Sequence, residues 1–140
     1  MNRRELLKNI ATGTATLFIV PAVVTSCEDE TVDPDANGPD PNVLTIDLNE
    51  EKYSNLGNAG GFVIESSIIV FNTGNGFTAL SSVCTHNNCT ISYDHGSGNL
   101  PCPCHGSVFS TSGSVLNGPA ETSLKKYEIE QEGDILTIPL

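Results

Sequence analysis

The sequence predicts an all-β domain, and three observations predict it. Beyond residue 42, apolar residues recur at every second position in short runs. Gly, Asn and Asp collect between those runs at turn spacing. No window of about 12 residues past the first 27 carries an amphipathic helical stripe.

The elements follow in order. Val43 to Leu48, Phe62 to Ile64, Ile68 to Phe71 and Phe77 to Leu80 read as strands, as do Tyr127 to Glu130 and Ile135 to Ile138. Asn58 to Gly61, Asn72 to Gly76 and Glu132 to Asp134 read as the turns between them. Between Ser82 and Gly118 the alternation weakens while Cys, His, Gly and Pro become dense. Nothing repeats at a fixed period, which excludes a solenoid. Residues 42–140 therefore form a β sandwich or a small barrel.

Composition narrows the function. With 140 residues the chain holds one domain. Six basic against 17 acidic side chains give a net charge of −11, which excludes a nucleic-acid binder because that needs a basic face. Residues 1–26 read as an export leader: Arg3, Arg4 and Lys8 precede an apolar stretch from Ile10 to Val24, broken at Pro21. Arg3-Arg4 resembles a twin-arginine signal, and Val24-Thr25-Ser26-Cys27 resembles a lipobox, which makes Cys27 the expected lipidated residue. Residues 27–41 then form an acidic, disordered tether from a membrane. Without 1–26 the chain carries 3 basic and 16 acidic residues.

Four of the five cysteines lie between positions 84 and 104, in two motifs. The first is Cys84-Thr85-His86-Asn87-Asn88-Cys89, the second Cys102-Pro103-Cys104-His105-Gly106-Ser107. A plant-type ferredoxin needs C-x₄-C-x₂-C, and position 92 is Ser, so that reading fails. A structural zinc site would use two Cys and two His. A Rieske centre would use the same donors, two Cys on one iron and two His on the other.

These motifs resemble the Rieske family. C-x-H and C-x-x-H are met by Cys84, His86, Cys102 and His105. The wider strings match the disulfide-containing branch found in quinol-oxidising cytochrome complexes, and Gly118-Pro119-Ala120 matches its proline loop. The resemblance implies a Rieske-like antiparallel β sandwich over 42–140, with a small cluster-binding subdomain made of two loops. It implies a 2Fe-2S cluster with Cys84 and Cys102 on one iron, and His86 and His105 on the other. Cys89 and Cys104 would form a disulfide, which demands an oxidising compartment, and Ser107 would donate to cluster or cysteine sulfur.

The implied function is one-electron transfer in the bacterial cell envelope, with no catalytic residues beyond the cluster. The protein would be anchored at Cys27 and face the periplasm or the outer surface, and it would serve a redox protein partner. The alternative is a Rieske subunit of a larger quinol-oxidising or molybdenum-containing, arsenite-oxidase-like oxidoreductase. Two positions depart from the quinol-oxidising members: Asn87-Asn88 stand where those carry an apolar residue, and Phe109 replaces a Tyr. The first speaks against quinol docking, the second for a lower potential. His95 reads as an exposed loop residue.

Overall fold

The computed structural model describes residues 40–140. The leader, Cys27 and the tether as far as residue 39 lie outside the described residues. Among the described residues, ten strands form three antiparallel sheets. The first sheet sets β1 (Val43–Asp47) beside β10 (Ile135–Pro139), and β10 beside β9 (Glu130–Glu132). The second runs β2 (Phe62–Glu65), β3 (Ile68–Asn72), β4 (Phe77–Ser81) and β8 (Lys126–Tyr127). The third is a small module of β5 (Asn99–Pro101), β6 (Val108–Ser110) and β7 (Val115–Asn117).

Strand β3 explains how the layers stack. Its residues Ile68, Ile69, Val70 and Phe71 are all buried, so both of its faces are covered. Ile68 and Val70 pack with Leu44, Ile46, Ala79, Leu136 and Ile138 into the sandwich core. Ile69 and Phe71 point the other way, into a second core with Leu80, Leu100 and Phe109. Period-two alternation makes this division automatic, because successive side chains leave a strand on opposite faces. The middle sheet is thus shared by the sandwich and the module.

The first sheet shows the one-sided pattern. Leu44 pairs across with Ile138 and Ile46 with Leu136, all four buried, while Thr45 lies opposite Thr137 on the outer face. A 3₁₀-helix, Glu51–Gly57, buries Tyr53 and Leu56 against the sandwich. The all-β reading holds, with this single short helix added among the described residues. No helix among the described residues is long and apolar enough to cross a membrane.

The details adjust the expected elements. The strand expected over Tyr127 to Glu130 is divided between β8 and β9, which belong to different sheets. The cluster subdomain is more than two loops, because those loops are mounted on β5, β6 and β7. At three residues each, these strands are too short to show an alternation.

Candidate metal centre

Two loops carry the chemistry. Cys84–Cys89 follows β4, and Cys102–Ser107 joins β5 to β6. They fold alike. In the first, the Cys84 N–H donates to the Cys89 carbonyl at 2.7 Å and the Asn88 N–H to the Cys84 carbonyl at 3.0 Å. In the second, the Cys102 N–H donates to the Ser107 carbonyl at 2.7 Å and the Gly106 N–H to the Cys102 carbonyl at 3.1 Å. The left-handed residue falls at the matching place in each, Asn88 at φ 50° and Gly106 at φ 77°. Asn and Gly are the residues that adopt this conformation at least cost. The repeated spacing of Cys84 to Asn88 and Cys102 to Gly106 was the sequence signal for this duplication.

Each loop turns its first cysteine inward. Cys84 and Cys102 are 1 % and 2 % exposed and belong to the core of the module, together with Phe109 and Leu100. Neither takes part in the disulfide. His86 and His105 lie outside on the exposed tip, their rings 4.9 Å apart and nearly perpendicular. Cys89 and Cys104 are bonded to each other and tie the loops together, with their Cα atoms 6.4 Å apart. His95 is engaged elsewhere. Its Nδ1 meets the Tyr93 hydroxyl at 3.2 Å, and its Cβ rests against Gly60, which has no room for a side chain there.

Several groups act on the buried Cys84 sulfur. Burial is the largest single influence on Cys84 and pushes its thiol up. Against it act the His86 N–H, the Cys102 side chain, the Asn87 N–H and the Ser107 hydroxyl. Together they prevail, and the thiol sits below its ordinary range. Ser107 is fully buried, and its Oγ accepts the Ala120 N–H at 3.0 Å. That leaves the hydroxyl proton for the Cys84 sulfur.

A third segment, residues 118–122, closes over the two loops. The Thr85 hydroxyl donates to the Thr122 carbonyl at 2.6 Å. Asn117 Nδ2 donates to the carbonyls of Gly106 and Gly118, both at 3.1 Å. Sequence reasoning passed over Thr85 and Asn117, because their partners lie 37 and 11 residues away and no motif marks them.

This donor set suits a binuclear centre. Two thiols buried in one cluster and two neighbouring imidazoles offer a pair of donors to each of two irons. Among the described residues no three His, Cys, Asp or Glu side chains gather around one ion, and a two-iron cluster does not ask for that. A β sandwich bearing such a module belongs to the iron–sulfur proteins.

The comparisons name the class. The family model of the Rieske [2Fe-2S] domain matches residues 45–128, more than half of the chain. The chain belongs to that family, whose cofactor is the Rieske-type 2Fe-2S cluster. It is similar to the cytochrome b6-f complex iron-sulfur subunits of Chlorobaculum thiosulfatiphilum, 38 % identical over 74 residues, and Chlorobaculum tepidum, 32 % over 76. Those matches cover 53 % and 54 % of this chain but 41 % and 42 % of the relatives. The chain thus spans about two fifths of their length. Among solved structures, it is similar to the cyanobacterial plasma membrane Rieske protein of Synechocystis PCC 6803, at 26 % identity and a TM-score of 0.54. That match covers 64 % of this chain and 95 % of the other. A ferredoxin of carbazole 1,9a-dioxygenase from Nocardioides aromaticivorans IC177, 18 % identical, shares the fold at a TM-score of 0.54, over 61 % and 91 % of the two chains.

Proposed function

We propose that this protein is a one-electron carrier whose ligands are Cys84 and Cys102 on one iron, and His86 and His105 on the other. The observation that carries the reading is the split of the donors, two thiols in the module core and two imidazoles on its exposed tip. A bound Rieske cluster supplies reversible one-electron chemistry at roughly −150 to +300 mV. The chain supplies the rest. The module core keeps water from the thiolates. The N–H groups of His86 and Asn87 and the Ser107 hydroxyl offset the negative charge on Cys84. The exposed imidazoles give a partner close access. No nucleophile or general base is needed.

The reading extends to the cell envelope. The curated relatives are subunits of a cytochrome b6-f complex, and a solved relative is a plasma membrane protein. The basic start of the leader and Val24-Thr25-Ser26-Cys27 support a lipid anchor at Cys27 on the periplasmic or outer face.

Electron paramagnetic resonance of the dithionite-reduced protein tests the ligands. His86→Cys and Cys102→Ser should each abolish the Rieske signal, while His95→Ala keeps it. Loss of the signal in the His95 variant would overturn the assignment. For the anchor, Cys27→Ala should release an exported protein into the soluble fraction.

A further inference from the structure

The tip bears an open cleft of about 330 Å³ beside His86, lined by Thr85, His86, Pro119, Glu121 and Thr122. Its walls offer two hydroxyls, an imidazole and a carboxylate, and Pro119 is the one apolar member. Glu121 is exposed and belongs to no ion pair among the described residues, where the sole such pair is Lys52 with Glu65. No cation lines the cleft. Of the three lysines in the described residues, Lys52 is held by Glu65, and Lys125 lies over the Tyr127 ring at 4.3 Å.

Glu121 is also held in place. The residue before it, Ala120, is bonded through its N–H to Ser107 Oγ, on the second loop. The residue after it, Thr122, is bonded through its carbonyl to Thr85, on the first. A carboxylate on an ordinary surface loop would wander with its backbone. This one is pinned on both sides to the loops that carry the imidazoles. An unneutralised negative charge beside His86, on a backbone tied to both loops, makes an apolar ring an ill-suited occupant. Such a ring would strip water from the carboxylate and return nothing for it.

We propose that this cleft docks a cationic side chain, Lys or Arg, of a protein redox partner, and that Glu121 is its counter-charge and specificity-determining residue. The proposal rests on the electron-carrier reading and names the partner chemistry of that site. The net negative charge of the chain draws a basic partner from a distance. Glu121 then selects where it lands.

Two measurements on the cluster-loaded protein test it. In stopped flow, the reduced protein gives one electron either to tris(phenanthroline)cobalt(III), forming cobalt(II), or to ferricyanide, forming ferrocyanide. At an ionic strength of ~0.01 M, where the Debye length is about 30 Å, Glu121→Gln should slow the cationic oxidant about three- to tenfold. It should not slow ferricyanide. Glu132→Gln, an equal charge change on the edge strand β9, should alter the cobalt rate far less. Equal slowing by both variants would mean that net charge alone acts, and would overturn the cleft.

The second measurement needs no electron transfer. Redox-inert hexaamminechromium(III) should broaden the amide signals of residues 121–123 more than those of 130–132, and Glu121→Gln should remove that difference. Broadening centred on β9 would overturn the proposal. A protein that dithionite does not reduce, yet that binds chromium at 121–123, would overturn the carrier reading and leave the cation site standing.

Discussion

Phe109 sits in the same buried cluster as Cys84 and Cys102, fully shielded from water. A Tyr at this position would bring a hydroxyl into that core, where a cysteine sulfur is the acceptor on hand. Such a donor favours the reduced state, which is more negative by one charge. A neutral hydrogen bond contributes about 0.5–1.5 kcal/mol net, and 59 mV corresponds to a tenfold change for one electron. Phe109→Tyr should therefore raise the midpoint potential by ~20–65 mV in protein-film voltammetry. An unchanged potential with lowered stability would mean that the hydroxyl is buried without reaching sulfur. A second residue-scale prediction concerns Glu65. It accepts from the Lys52 ammonium at 2.7 Å and from the buried Tyr53 hydroxyl at 2.6 Å. Lys52, then Tyr53, hold its carboxyl below the usual value of 4.5. A depressed folded value contributes stability above the unfolded value, which is lost as pH falls through the folded one. The gap in urea midpoint between wild type and Glu65→Gln should thus be full at pH 6–7 and close below about pH 4. A gap that persisted at pH 2.5 would show a packing effect instead.

At the scale of elements, the hairpin between β2 and β3 turns on Ser66 and Ser67, at φ 51° and 63°. A two-residue loop with both residues left-handed is a type I′ turn, which Asn-Gly fits and Ser-Ser does not. The left-handed conformation costs a non-glycine residue roughly 1–2 kcal/mol. Ser67→Gly should raise the unfolding free energy by about 1 kcal/mol, read from a urea titration, since Ser67 contributes its backbone carbonyl to Ser82. No gain would place the strain elsewhere. The ligand loops give a paired prediction. Cys89→Ser and Cys104→Ser should behave alike, because either one breaks the same link between the loops. A separation of 15 residues implies about 3 kcal/mol by the chain-entropy model. Both variants should lose the visible absorbance of the cluster at lower temperature than wild type. Damage in only one would make that residue a ligand.

At the scale of the whole molecule, the protein is two cores sharing one sheet. The run Ile68 to Phe71 belongs to both, so the module is not an appendage hung on a finished sandwich. Much of this was legible. One-sided strands such as β1 and β10 announce themselves by alternation, and β3 by its unbroken apolar run. The split at Tyr127 to Glu130 was not, because four alternating residues do not say which sheet receives them. The 3₁₀-helix was hidden for a related reason: only Tyr53 and Leu56 of its seven residues are buried, too few to set a period. The Ser66-Ser67 turn lacks the Gly or Asn that would have marked it.

The candidate donors were readable, since Cys84, His86, Cys102 and His105 stand at short, fixed spacings that only local chain geometry has to satisfy. The resemblance implies that the imidazoles face solvent, but what turns the two thiols inward is not a local property of the sequence. Cys84 and Cys102 go inward because Phe71, Leu80, Leu100 and Phe109 come from β3, β4, β5 and β6 to surround them. The same holds for Thr85 and Glu121. Their types were plain, but their roles depend on hydrogen bonds to residues far along the chain. The sequence by itself determined the class of fold and the chemistry of the donors, because period and spacing are local properties. Only the tertiary structure decided that a carboxylate and an exposed imidazole line one cleft, because that juxtaposition exists once three separate loops close on one another.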